Sequence, residues 1–261
     1  MAARSLATAL VAALLAVGGA AWWLGREAAP PRGMAANPCP PEAAYKGSAV
    51  ERIDWAGLCR WRADNARIAA SGKRPRVVFL GDSLTEFWGD HDSGFFTQGR
   101  VNRGIGGQTS AQQLVRFRQD VVALQPRLVH VMGGINDIAA NSGLATPEGY
   151  LANFESMIDL AQMHGIGVIL GTIPPTGDFD TPGKVAPQPW ISGLNRGLRE
   201  LAARRGLVLA DYHAAMAHPD GTPRGEYYAD WGHPNAAGYA AMKTVAIEAA
   251  ARAEGIAPPP R

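Results

Sequence analysis

Cysteine is scarce in this chain. Two residues among 261 are too few for a disulfide-built scaffold or a four-cysteine zinc site. Charge of one sign is lacking as well: 25 Lys and Arg against 23 Asp and Glu leave a net charge of +2. The only basic residue before position 25 is Arg4, and beyond it charges of both signs are interspersed. No basic stripe of the kind a phosphate backbone requires is present, so nucleic acid is not an expected partner. There is no internal repeat, and no low-complexity tract beyond one proline-rich stretch. What is plentiful is apolar: 47% against 18% charged, enough to build a core and to exclude wholesale disorder. The 31 glycines and 19 prolines imply many tight loops, where chemistry often resides.

One long uncharged run stands at the start, Ser5–Leu24, after the single positive charge of Arg4. It reads as an export signal or an N-terminal membrane anchor over residues 1–24. Gly18-Gly19-Ala20 supplies small residues for cleavage, whereas the run's length and Trp22-Trp23 suit a retained anchor. Either places the body outside the cytoplasm, in the periplasm or beyond, with a tether through residues 5–24 if the run is kept. A Pro-rich spacer over 25–48 follows, then a domain over 49–255 and a tail at 256–261. Val50, Ile53, Leu58, Trp61 and Ile68 recur at near-helical spacing. An oxidising compartment makes a Cys39–Cys59 disulfide the expectation, with two unpaired thiols the alternative.

From Arg76 the chain alternates short apolar runs with helical stripes. The runs are Val77–Leu80, a brief one opened by Val101, Leu128–Met132, Gly167–Ile173 and Leu207–Ala210. Such runs suit strands buried on both faces. Between them, Leu114/Phe117/Val121, Leu151/Phe154/Ile158/Ala161, Ile191/Leu194/Leu198/Leu201 and Tyr239/Met242/Ala246 each fall on one helix face. Strand then helix, repeated, predicts an α/β fold with right-handed crossovers and a parallel sheet covered on both sides. In such sheets ligands bind beyond the carboxyl ends of the strands. Gly81-Asp82-Ser83, Gly104–Thr109 and Gly133–Asp137 all follow strands, and so converge on that edge.

A serine becomes a nucleophile when a base takes its proton, and acyl transfer needs donors aimed at the developing oxyanion. Ser83 follows a strand and a glycine, which exposes its hydroxyl and its N–H. Gly107 brings a bare N–H close to a ligand, and Asn136 adds a side-chain amide. Among six histidines, His130 lies inside the third strand and reads as packing, while His164 ends a helix. His233 stands three residues after Asp230, which can fix its tautomer from behind. Asp211 with His213 is the rival pair. Gly104–Thr109 lacks the Gly-Lys-Ser/Thr of a phosphate-binding loop, which disfavours nucleotide binding. Phe87, Trp88, Phe95, Phe96, Ile135 and Trp231 are candidates for an apolar acyl site.

Four blocks carry a family resemblance: Gly81-Asp82-Ser83-Leu84-Thr85, Asn102–Thr109, Gly133-Gly134-Ile135-Asn136-Asp137 and Asp230-Trp231-Gly232-His233-Pro234-Asn235. Over about residues 75 to 252 the sequence resembles the SGNH, or GDSL, hydrolase superfamily. Phe79–Thr109 and Gly171–Pro175 look most like its platelet-activating-factor acetylhydrolase-like branch. The resemblance implies a flavodoxin-like three-layer α/β/α sandwich with a five-stranded parallel sheet. It implies Ser83 as nucleophile, His233 as base, Asp230 as orienting acid, and Ser83, Gly107 and Asn136 as oxyanion donors. Asp82 and Asp137 brace loops in this scheme.

One departure is Gly232, where a bulky aliphatic is common; it implies either a more mobile histidine loop or a pocket walled by Trp231. Of the apolar candidates, Trp88, Ile135 and Trp231 are the expected pocket residues. The expected activity is serine esterase hydrolysis of carboxylic esters with a short acyl group, through an acyl-enzyme, with no metal or organic cofactor. The substrate is a lipid, carbohydrate or small-molecule ester. O-acyl transfer to a sugar acceptor, or an inactive carbohydrate-binding relative, are the alternatives. The natural substrate and the oligomeric state are not legible.

Overall fold

The computed structural model describes residues 37–179 and 186–256. The chain falls into two compact units, Met1–Cys39 and Pro40–Arg261. The expected leader at residues 1–24, the first half of the expected spacer and nearly all of the tail lie outside the described residues. Among the described residues no helix is long and apolar enough to cross a membrane. Cys39 and Cys59 are both disulfide-bonded.

Five parallel strands form the centre of the second unit: β1 Val77–Gly81, β2 Arg100–Gly104, β3 Leu128–Val131, β4 Gly167–Gly171 and β5 Val208–Ala210. Their order is β2-β1-β3-β4-β5, with Val78 opposite Val101 on one side and Val129 on the other. This is the flavodoxin-like order, which reverses direction at β1 and β3 and opens a crevice there at the carboxyl edge. The described helices are α1 Ala49–Ile53, α2 Arg62–Ala70, α3 Ser83–Glu86, α4 Trp88–His91, α5 Ser110–Asp120, α6 Ile135–Ile138, α7 Pro147–Met163, α8 Pro187–Arg205, α9 Tyr212–Met216 and α10 Ala236–Ile256.

Successive strand side chains point to opposite faces, and the core splits accordingly. Val78, Leu80, Val129, Val131, Val168 and Leu170 pack with Phe117, Phe154, Ile158, Ile191 and Leu198 of α5, α7 and α8. Val77, Phe79, Leu128, Ile169 and Val208 pack with Trp88, Tyr212, Met216, Tyr239 and Met242 of α4, α9 and α10. Each such side chain, fully buried, contributes roughly 1.5–3 kcal/mol relative to exposure. The sandwich of helices around a five-stranded parallel sheet is therefore as expected. His130, in β3, is a packing residue: it meets the Tyr212 hydroxyl at 2.8 Å, and burial pushes its imidazole down to about 3.

The folded unit starts before residue 49. Residues from Pro40 belong to it, and Tyr45 is 3% exposed, its hydroxyl donating to Asp54 at 3.1 Å. The helical spacing from Val50 to Ile68 is broken in two because Asp54 accepts the N–H groups of Leu58 (2.9 Å) and Cys59 (2.7 Å). That turn competes successfully with a continuous helix.

Candidate active site

β1 ends in a position that only glycine fills: a Cβ on Gly81 would lie 2.0 Å from Thr85 Oγ1. The chain turns there, and Asp82 caps α3 by accepting the Leu84 N–H at 3.0 Å. Ser83 thus occupies the first helical position, where a backbone N–H has no partner within its own helix. Asp82 is completely buried, and that burial, opposed by the Leu84 hydrogen bond, raises its carboxyl to about 7.

The loop after β2 is held from two sides. Glu86 Oε2 accepts the Gly106 N–H at 2.7 Å. Asp137, whose carboxyl burial raises, accepts Ser110 N–H at 3.0 Å and its hydroxyl at 2.5 Å. Between these anchors Gly107 has φ +77°, a conformation that side-chain-bearing residues rarely adopt. After β3, Asn136 is the second residue of α6. Its carbonyl oxygen accepts from Asn141 at 2.7 Å, which fixes the orientation of its amide. The NH₂ group donates to Gln108 O at 3.1 Å, and its contact with Asp82 Oδ2 is long at 3.5 Å. Such a long contact is readily exchanged for a better acceptor.

The histidine arrives on the loop before α10. The Ser83 hydroxyl lies 3.1 Å from His233 Nε2, and His233 Nδ1 lies 2.8 Å from Asp230 Oδ2. Asp230 Oδ1 accepts the N–H groups of Gly232 (2.8 Å) and His233 (2.7 Å). Burial alone would raise the Asp230 carboxyl; the hydrogen bonds from Gly232 and His233 outweigh it and hold it below its ordinary value. An ionised Asp230 favours the tautomer with the proton on Nδ1, which leaves Nε2 to accept from the serine. The loop is tied at Ala229 N–His233 O (2.8 Å) and Gly177 N–Trp231 O (2.6 Å). Of the two consequences expected of Gly232, Trp231 as a wall is the one observed.

Ser83, Gly107, Asn136 and His233 line one cleft of about 390 Å³. Its remaining walls include Leu84, Phe87, Ile135, Ala139, Phe179 and Trp231, with the Phe179 and Trp231 rings edge-on at 5.1 Å. Ile135 and Trp231 therefore sit where the pocket was expected, and Trp88 does not. Trp88 is 0% exposed, stacked on Phe95 at 4.7 Å in the core, and Phe95 is buried with it. At the start of α4 it faces the sheet side, and its neighbour Phe87 takes the cleft. The rival pair is also set aside: the Asp211 carboxylate is paired with Arg199 at 3.0 Å and caps α9.

The supports of the site were not visible in the sequence. Arg116, fully buried, donates to Gly81 O (2.9 Å), to Gln108 Oε1 (2.5 Å) and to Asp120 (3.0 Å). It thereby joins the strand end before Ser83 to the loop that carries Gly107. The i,i+4 spacing of Arg116 and Asp120 was the available signal, and it reads equally as a solvated helix face. Among the described residues no group of three or more His, Cys, Asp or Glu is placed to hold a metal ion.

Comparison with known proteins points the same way. Residues 79–241 match the model of the GDSL-like Lipase/Acylhydrolase family. The chain is similar to the crystal structure of a GDSL-like lipase from Bacteroides thetaiotaomicron, with 35% identity over 76% of this chain and 99% of that one, at a TM-score of 0.71. It is 28% identical over 210 residues to platelet-activating factor acetylhydrolase IB subunit alpha1 of Rattus norvegicus, covering 75% of this chain and 84% of the relative. An acetylxylan esterase from Geobacillus stearothermophilus shares the fold, with 20% identity and a TM-score of 0.53 over 67% of this chain and 93% of that one.

Proposed function

Because the chain belongs to the GDSL-like lipase/acylhydrolase family and is a serine hydrolase acting on ester bonds, we propose that it cleaves short-chain carboxylic esters through an acyl-enzyme on Ser83. The observation that carries this reading is the unbroken relay Ser83–His233–Asp230, with its serine lining a largely apolar cleft.

In the first half-reaction Ser83 Oγ attacks the ester carbonyl carbon while His233 Nε2 takes the hydroxyl proton. The tetrahedral oxyanion is received by the N–H groups of Ser83 and Gly107 and by the Asn136 amide. Collapse breaks the C–O bond, and His233 returns the proton to the departing alcohol. Water, deprotonated by His233, then attacks the acyl-Ser83 ester; collapse releases the carboxylic acid and restores the serine. Donors placed for the charge that develops are worth about 2.7–4 kcal/mol each in such sites.

Phe87, Ile135, Phe179 and Trp231 make the wall beside the serine apolar, which suits an acyl group, and the similarity to an acetylhydrolase subunit supports a short one. The uncharged run Ser5–Leu24 and the oxidised cysteines support export to the periplasm or cell surface. A series of p-nitrophenyl esters tests the acyl claim: kcat/KM peaks at acetate to butyrate and falls at least tenfold by octanoate (roughly 1.4 kcal/mol). A maximum at long chains would refute it.

A further inference from the structure

A second groove, of about 430 Å³, adjoins the catalytic cleft, sharing Phe87, Gly106 and Gly107 with it. Its other wall comes from residues 45–60, which precede the stretch matched by the family model. On that wall Trp55 is 53% exposed. Its backbone is nonetheless fixed: Gln112 donates to Trp55 O at 2.5 Å, and Gln108 to Ala56 O at 2.8 Å. A half-exposed indole on a pinned turn, beside a catalytic cleft, is a preformed stacking surface.

We propose that this groove receives the alcohol portion of the ester, and that this alcohol is a carbohydrate hydroxyl, with Trp55 stacked on the sugar ring. The proposal rests on the esterase reading above. An ester seated with its acyl group in the apolar cleft and its carbonyl oxygen at Gly107 must direct its alkoxy group elsewhere, and the groove shares that glycine.

Charge selects the ligand class. Lys46 pairs with Glu86 at 3.1 Å, and Arg60 with Glu86 at 3.5 Å and Glu42 at 3.3 Å. Asp54 accepts from Tyr45, Leu58 and Cys59, and Glu51 accepts from Gly47 and faces the same groove. Both cations of the groove are thus already committed to carboxylates, which leaves a phosphate poorly served. Five charged side chains are poor walls for an alkyl chain. Ile53 and Leu58 are exposed, but neither lines the groove. An uncharged polyol, with hydroxyls for the polar wall and a C–H face for the indole, fits both conditions.

The test compares wild type with Trp55→Ala and Trp55→Phe on two substrates, methyl acetate, whose methoxy group is too short to reach the indole, and O-acetylated cellotetraose. Trp55→Ala is expected to lose at least about tenfold in kcat/KM on the tetrasaccharide, as for one lost aromatic anchor, and less than about twofold on the small ester. Trp55→Phe retains most of the tetrasaccharide activity. Calorimetric titration of cellotetraose into the Ser83→Ala protein shows binding that Trp55→Ala weakens by the same factor. Equal tetrasaccharide rates for wild type and Trp55→Ala overturn the proposal while leaving the esterase intact. A wild-type preference for micellar acyl-glycerophosphocholine overturns it in favour of a lipid alcohol. Failure of wild type on methyl acetate and p-nitrophenyl acetate alike would instead remove the esterase reading on which it rests.

Discussion

Replacing Asp230 with asparagine separates the orienting role of this carboxylate from its bulk. Three donors converge on the carboxylate: Gly232 N–H, His233 N–H and His233 Nδ1. An asparagine keeps the two backbone hydrogen bonds only if its carbonyl oxygen stays in the Oδ1 position. Its NH₂ then faces Nδ1 and can donate only to an unprotonated nitrogen. The imidazole is driven to carry its proton on Nε2, where it can no longer accept from Ser83. The opposite flip would aim the NH₂ at two backbone N–H groups.

In a serine triad the wrong tautomer costs about 10⁴ in kcat, or about 5.5 kcal/mol. Asp230 is 47% exposed in its side chain, so water can partly restore the right tautomer. A loss of about 10²–10⁴ is therefore expected, with KM little changed. Asp230→Ala imposes no tautomer and retains at least as much activity as the asparagine variant. The assay is kcat on p-nitrophenyl acetate at neutral pH, alongside circular dichroism to confirm folding. A loss under tenfold, or an alanine variant clearly worse than the asparagine one, would refute the reasoning.

Two further outcomes follow from the site. Asn136→Ala removes one of the proposed oxyanion donors and should lower kcat by about 10²–10³, equivalent to about 2.7–4 kcal/mol; a loss below tenfold in steady-state assays argues against that role. Asp82→Asn keeps the α3 cap but removes a carboxyl that burial raises to about 7. The native protein then holds a proton that the unfolded chain has released above about pH 4, so this group's contribution to stability falls as pH rises from about 4 to 7. His130, lowered to about 3 by burial, acts in the opposite sense, so the quantity to read is the difference between variant and wild type. In thermal melts Asp82→Asn gains relative to wild type across that window, by up to about 4 kcal/mol, and a pH-independent difference contradicts this.

The parts of the site legible in the sequence were those where position on the fold and chemistry coincide. Ser83, Gly107 and Asn136 follow three successive strands, and the open parallel sheet sends all three to one edge. Asp230 and His233 were legible because a carboxylate three residues ahead in one loop can reach Nδ1, as it does at 2.8 Å. The choice between Phe87 and Trp88 was not legible. They are consecutive aromatics joining two four-residue helices, and a turn of about 100° per residue decides which one meets the cleft and which the core. Arg116 and Asp120 were hidden for a different reason: charged residues are ordinarily solvated, and only the fold shows that Gly81 O and Gln108 complete a buried network. Glu86 likewise reads as a surface acid until Lys46, Arg60 and the Gly106 N–H are seen to surround it.

The account turns on a serine hydroxyl activated by an imidazole 150 residues away in sequence. Reaction with a fluorophosphonate, followed by peptide mass spectrometry, tests it most directly. One phosphonyl group is expected per chain, on Ser83, and His233→Ala should slow its attachment by at least about 100-fold, the usual worth of a general base. Labelling on another residue, or at an undiminished rate in the histidine variant, would contradict it.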